Sequence, residues 1–267
     1  MTDGFLPGQD RDLVSVFEKA NKNLFSKVLF ETKLKKAEVS GKKVKTVFEN
    51  KDGEQNDSFD QVLVAVGRKP QTEGTGLEKT DAETDEKGFV KVDDQRKTTD
   101  DHIYAIGDIT GNPMLAHKAS HEGIVAAEAI AGKKTAFEPN AIPAVVFTSP
   151  EMAWCGLTEN EAREKGIEVK VAKFPWGASG RAVTLNYSPG LTKLIIDPET
   201  DRILGAAIVG DQAGELIGEA TLAVEMAALA SDLHLTIHAH PTLSETLMEA
   251  AASYYGLATH IYRPKRK

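Results

Sequence analysis

His238-Ala239-His240-Pro241-Thr242-Leu243-Ser244-Glu245, near the C-terminal end of the chain, sets an imidazole and a carboxylate on either side of a proline and a helix start. Pro241 pushes His240 out of helical backbone angles into an extended conformation and permits a cis peptide bond before it. Thr242 to Glu245 fits the Ser/Thr-x-x-Glu capping box. The pattern therefore predicts a helix that begins at Thr242 and carries Leu243, Leu247, Ala250, Ala251 and Tyr254 at helical spacing. His240 would sit at the mouth of its first turn, within reach of Glu245. A carboxylate bonded to one ring nitrogen fixes the tautomer, steadies the ring and stabilises the imidazolium, leaving the other nitrogen to take and return a proton. The same spacing also suits a glutamate that only completes the cap and a histidine that only packs beside it.

The whole chain narrows the class. Its 267 residues, 41% of them hydrophobic, are enough for one large or two ordinary domains with a substantial core. A net charge of −8 argues against nucleic acid as a partner, and the basic run Arg263-Pro264-Lys265-Arg266-Lys267 reads as a solvated tail. No apolar run approaches transmembrane length and the start shows no signal-peptide pattern, so a cytoplasmic protein is expected. The single cysteine, Cys155, excludes an internal disulfide, an internal redox dithiol and a cysteine-rich zinc site within these residues. His234, His238 and His240 lack companion thiols or carboxylates at ligand spacing, and no metal is expected.

Upstream, residues 10–23 carry Leu13, Val16, Phe17 and Ala20 at helical spacing. Residues 28–32 and 44–49 read as strands, with a turn at 50–53. The apolar run Gln61-Val62-Leu63-Val64-Ala65-Val66 predicts a strand buried on both faces of a parallel sheet, stopping at Gly67-Arg68. A glycine there either lets a nucleotide approach the carboxyl edge of the sheet or simply ends the strand. Residues 88–93 and 103–106 read as two more strands, the second delivering Asp108 just past Gly107. That aspartate can accept hydrogen bonds from a ribityl or ribose hydroxyl, or serve as a turn or cap residue. A helix over residues 115–131 follows, with Ala116, Ala119, Gly123, Ala126 and Ala127 small enough for close packing.

Pro139, Pro143 and Pro150 mark a boundary near residue 140. Beyond it the order is α+β: a strand at 144–147, a helix at 158–165 capped by Thr158 and Glu161, a strand at 169–174, a hairpin of 191–197 with 203–209, and an alanine-rich helix at 214–229. There is no Gly-x-Gly-x-x-Gly and no Walker sequence.

Taken together, Val64-Ala65-Val66-Gly67-Arg68-Lys69-Pro70, residues 99–108, Met114-Leu115-Ala116-His117-Lys118-Ala119 and the stretch from His238 to Glu245 resemble one family, the pyridine nucleotide-disulfide oxidoreductases. Within it they look most like the branch that oxidises protein-bound dihydrolipoamide. The resemblance implies partial nucleotide-binding α/β segments followed by a complete α+β interface domain. Residues 1–72 would be the end of the NAD-binding domain, 73–139 the second segment of the FAD-binding domain, and 140–267 the dimerisation domain. It implies FAD and NAD as cofactors, with Asp108 on the FAD ribityl chain, Met114, Leu115, Ala116 and His117 lining the flavin, and Gly67 and Arg68 near the nicotinamide nucleotide. His240 would be the catalytic acid/base and Glu245 the residue holding its ring. It further implies a homodimer, and as partners the lipoyl domain and acyltransferase of a 2-oxo acid dehydrogenase complex. The family's glycine-rich phosphate loops and its Cys-x-x-x-x-Cys pair are not among these residues, and Cys155 cannot replace that pair. The expectation is a portion of such an enzyme, inactive by itself and binding FAD weakly or not at all. A non-catalytic dimerisation module and a glutathione reductase-like enzyme stand as alternatives.

Overall fold

A computed structural model describes residues 2–187 and 189–261; the basic run 263–267 lies outside them. In chain order the helices and strands are α1 (Arg11–Asn21), β1 (Lys33–Ser40), β2 (Lys43–Asn50), β3 (Gly53–Phe59), α2 (Ala116–Ile130), β4 (Ala144–Val146), β5 (Glu151–Gly156), α3 (Glu159–Lys165), β6 (Lys170–Pro175), α4 (Gly180–Thr184), β7 (Leu191–Ile196), β8 (Ile203–Gly210), α5 (Ala213–Glu225), α6 (Ala230–Leu235) and α7 (Glu245–Tyr254). Contacts group residues 1–63 with 140–267 in one compact unit and 64–139 in another. It is a mixed α/β chain with two antiparallel sheets, of three strands in the order β1-β2-β3 and five in the order β4-β5-β8-β7-β6. Among the described residues no helix is long and apolar enough to cross a membrane.

The five-stranded sheet carries the core, and its strands alternate between two faces with the period of two that a pleat imposes. Ala153 and Cys155 of β5 and Ala206 and Ile208 of β8 join Ile217, Ala220 and Val224 of α5 and Leu247, Ala250 and Ala251 of α7. Met152, Ala207 and Val209 face the other way, onto Leu13, Val14 and Phe17 of α1. β7 shows the same alternation with polar residues. Thr192 lies opposite Ile208 and bonds Thr246 of α7, whereas Lys193 lies opposite Ala207 and turns to α1. Lys193 is wholly buried, 2.5 Å from Asp10, 2.9 Å from Asp12 and 3.2 Å from Glu159. Asp10 precedes α1 and also accepts the Glu159 and Asn160 amides at 3.2 and 3.0 Å, so one carboxylate joins the starts of two helices. Burial works against the ammonium, but the hydrogen bonds and charges of Asp10 and Asp12 outweigh it and raise its pKa.

Several sequence expectations hold: α1, β2 with its following turn, α2, the Thr158/Glu161 capping box of α3, and the β7–β8 hairpin. Others do not. Residues 28–32 are loop, and β1 begins only at Lys33. The apolar run 61–66 forms no strand and leaves Leu63 and Val66 91% and 92% exposed. A parallel strand exists only by pairing with neighbours, and no described strand pairs with this run. Residues 88–93 and 103–106 are reduced to single bridges, Thr84 with Val90 and Lys97 with Tyr104. The 214–229 helix stops at Glu225 because Ala227 takes a left-handed φ of 54°.

Replacing Lys193 with Met leaves buried Asp10 without its cation, whereas Asp12 and Glu159 keep Lys173. Breaking a buried pair in this way costs about 3–5 kcal/mol. Urea unfolding followed by near-ultraviolet circular dichroism should show that loss, and Lys193→Met combined with Asp10→Asn should recover part of it.

Candidate active site

The His240–Pro241 bond is cis. His240 Nδ1 lies 2.9 Å from Glu245 Oε1, and the Thr242 amide donates to Glu245 Oε2 at 2.7 Å. One carboxylate thus holds both the ring and the backbone beside it. α7 begins at Glu245 and not at Thr242, because the Thr242 hydroxyl donates to the Ala239 carbonyl at 2.7 Å, so only half of the expected capping box forms. Burial pushes the Glu245 carboxyl up, but the Thr242 amide, His240 and the charge of His260 outweigh it and hold it below the usual carboxylate range. An ionised carboxylate can only accept, so Nδ1 donates to it, and in the neutral imidazole the lone pair is then on Nε2. The His240 side chain is 69% exposed while Glu245 is 17% exposed, which leaves Nε2 open to a reactant and shields the residue that orients it.

The first turn of α7 is anchored from below by residues that the sequence did not single out. The indole N–H of fully buried Trp176 donates to Thr192 Oγ1 at 2.9 Å, Thr192 donates to Thr246 Oγ1 at 2.9 Å, and Thr246 donates to the Leu243 carbonyl at 2.7 Å. These groups lie on a turn after β6, on β7 and on α7. No local spacing relates them.

In the unit of residues 64–139, Arg68 donates to Asp108 Oδ2 at 2.8 Å and to the Met114 carbonyl at 2.7 Å, so three of the residues predicted for cofactor binding meet. Gly67, with φ 109°, supplies the bend before Arg68. Asp108 lies in a single 3-10 turn, Gly107–Thr110, and Leu115 immediately precedes α2, whose first residues are Ala116 and His117. No side chain caps that helix start. A half-exposed carboxylate suits sugar hydroxyls, and a helix N-terminus suits a phosphate. This donor set fits the sugar and phosphate portion of a dinucleotide.

The turn bearing Asp108 is fixed by Glu122, which sequence reasoning also missed. Glu122 is fully buried and accepts the Gly107 amide at 2.7 Å, with Lys118 at 2.9 Å, Arg96 at 3.1 Å and the Thr110 hydroxyl at 3.2 Å. Glycine is favoured at position 107, since its φ is 81° and an added Cβ would lie 3.2 Å from the Ala119 Cβ. Lys118 and Glu122 are four residues apart on α2, a spacing that the sequence shows, whereas the Gly107 amide and Arg96 reach Glu122 only through the fold.

Two domain models of one family match the chain: the pyridine nucleotide-disulphide oxidoreductase model over residues 1–123, and the dimerisation domain of the same oxidoreductases over residues 142–251. The chain belongs to the pyridine nucleotide-disulphide oxidoreductases. Among curated members of the family, dihydrolipoyl dehydrogenase of Vibrio cholerae is 48% identical over 268 residues, a match that takes in 100% of this chain and 56% of that protein. The dihydrolipoyl dehydrogenase of Thermus scotoductus is 50% identical over 258 residues, covering 96% of this chain and 56% of the relative. Among solved structures of the family, LpdA from Mycobacterium tuberculosis superposes with a TM-score of 0.87 at 26% identity, over 95% of this chain and 55% of that one. The chain spans about half the length of the relatives it matches.

Glu122 has a carboxyl that burial raises, but the Gly107 amide, Lys118 and Thr110 outweigh burial and hold it below its ordinary value. Because the folded value is the depressed one, its stabilising contribution is present above an unfolded-chain pKa of about 4.3 and is lost as pH falls through the lower folded value. Exchange of the Gly107 amide, corrected for its intrinsic rate, should therefore accelerate in acid over that window. In Glu122→Ala it should be fast throughout.

Proposed function

We propose that His240 is the acid/base of a dihydrolipoamide-oxidising flavoprotein and that Glu245 orients it. The observation that carries the reading is the 2.9 Å bond from His240 Nδ1 to a shielded carboxylate, which leaves an exposed Nε2 to exchange a proton. In this role Nε2 takes the proton from a substrate thiol, and the resulting thiolate attacks a disulfide. Proton transfer of this kind contributes roughly 10²- to 10⁴-fold to rate. The names of the curated relatives favour the lipoamide-oxidising branch over a glutathione reductase-like one.

The electron path needs FAD, NAD and a redox disulfide. Asp108 would take a ribityl hydroxyl, with Met114, Leu115, Ala116 and His117 beside the flavin and Gly67 and Arg68 toward the nicotinamide nucleotide. When bound, FAD relays electrons from a dithiol to NAD. Within the 267 residues the one thiol is Cys155, which burial pushes up to about 11 and which cannot cycle as a dithiol. These residues alone are therefore inactive in this reading, and they act as the base-bearing, dimer-forming portion of the catalytic unit. Residues 1–72, 73–139 and 140–267 would correspond to the end of the NAD-binding domain, the second FAD-domain segment and the interface domain. Dimerisation through 140–267 is supported by the family domain matched there and by exposed Leu222, Met226, Leu235 and Ile237, of which Ile237 is 97% exposed. Lipoyl domains and the acyltransferase of a 2-oxo acid dehydrogenase complex would be the partners.

The purified chain should run as a dimer and show no dihydrolipoamide oxidation with NAD. A fusion that places the part of the Vibrio cholerae relative outside the match ahead of this chain should bind flavin and turn over. In that fusion His240→Gln should lower kcat by roughly 10²- to 10⁴-fold with flavin absorption intact. Unchanged turnover in His240→Gln would rule out the acid/base role.

A further inference from the structure

Glu245 and Glu249 lie one turn apart on α7, and each holds a histidine. His260 Nδ1 is 2.8 Å from Glu249 Oε1, and the Thr259 amide donates to Glu249 Oε2 at 3.2 Å, so the segment after α7 folds back onto the helix. Glu249 is 4% exposed while the His260 side chain is 49% exposed. The arrangement repeats that of Glu245, in which one shielded carboxylate holds an open imidazole and a backbone amide. Side chains four residues apart on a helix are about 5–6 Å apart at Cβ, and like charges there repel. Two carboxylates at this spacing would each raise the other's pKa unless a cation offset one of them.

We propose that Glu249 and His260 are a positioning pair for the acid/base dyad: His260 offsets the charge of Glu249, so that Glu245 stays ionised and keeps its hold on His240. This role rests on the reading of His240 as the acid/base. Other charged groups near α7 meet residues other than Glu245 and Glu249, among them Asp201, which accepts from the Tyr254 hydroxyl at 2.5 Å, while His234 Nδ1 is buried without a hydrogen-bond partner. From α6, Asp232 accepts the Leu229 amide at 2.8 Å and the His234 ring lies 6.2 Å from that of Tyr255. From β6, Lys170 lies over the Tyr254 ring and Lys173 reaches Asp12 at 2.6 Å. From β7, Lys193 is buried among Asp10, Asp12 and Glu159. His238 is held by Glu219 at 2.8 Å. The charges of His240 and then His260 both lower the pKa of the Glu245 carboxyl.

The signs of the effects follow from charge alone. Without His260, Glu249 stands as an uncompensated anion beside the dyad, which favours the His240 imidazolium. Without the Glu249 charge, a protonated His260 stands uncompensated and disfavours it. Proton–nitrogen NMR titration of the imidazoles in the 267-residue chain, with His240 assigned through His240→Gln, reads both. His260→Gln should raise the His240 midpoint by ~0.2–0.4 pH unit. Glu249→Gln, which keeps an acceptor for the Thr259 amide, should lower it, and the double variant should return it to the wild-type value. A midpoint unmoved by His260→Gln, or one moved in the same direction by both single variants, would overturn the pair; a purely structural role moves stability without opposite-signed shifts. The titration reads His240 whether or not it serves a dithiol. An unmoved midpoint therefore removes the positioning pair, whereas unchanged turnover of the fusion in His240→Gln removes the thiol chemistry.

Discussion

Thr192 and Lys193 are neighbours in the middle of β7, and because successive side chains of a strand point to opposite faces they fasten different helices to the two sides of one sheet. Both are fully buried polar residues, a situation that is stable only when every partner is supplied. Thr192 meets this through Trp176 and Thr246 on the α7 side, and Lys193 through Asp10, Asp12 and Glu159 on the α1 side. The sheet and both helices therefore hold one another in register. The first turn of α7, which carries Glu245, is placed by this arrangement and not by its own capping residues.

The exposed dyad depends on that rigidity. Glu245 bonds His240 and the Thr242 amide with its two oxygens, and the Thr192–Thr246 bond ties the same turn to β7. A side chain that is open to solvent keeps its direction only if the group behind it is immobile. The chain from Trp176 to the Leu243 carbonyl provides that immobility. Glu122 plays the corresponding part for Asp108, taking the Gly107 amide and two cations in a buried pocket so that an otherwise exposed aspartate sits on a fixed turn. Both places share one plan, with an open polar side chain backed by a buried carboxylate or hydroxyl network.

The local signals in the sequence were strong where a segment makes its own contacts. The Thr158/Glu161 box, the turn between β2 and β3 and the alternation of β7 and β8 all depend on residues a few positions apart. The pairing of His240 with Glu245 was legible for the same reason, as the proline and the five-residue spacing constrain it locally. The run at residues 61–66 failed for the opposite reason: its hydrophobicity is that of a buried strand, but a strand needs partners that no described segment supplies. The start of α7 was misplaced by three residues because the Thr242 hydroxyl turned to Ala239.

By itself, then, the sequence determined the helix periods, the β7–β8 hairpin, the α3 cap and the adjacency of an imidazole to a carboxylate, since each is an interaction between residues close along the chain. Tertiary structure decided which charges are buried and with whom. Lys193 with Asp10 and Glu159, Thr192 with Trp176 and Thr246, and Arg68 with Asp108 are at least 16 residues apart, and only chain folding brings them within hydrogen-bond distance. A buried charge announces nothing in sequence, because its cost and its compensation both arise from an environment that distant residues create.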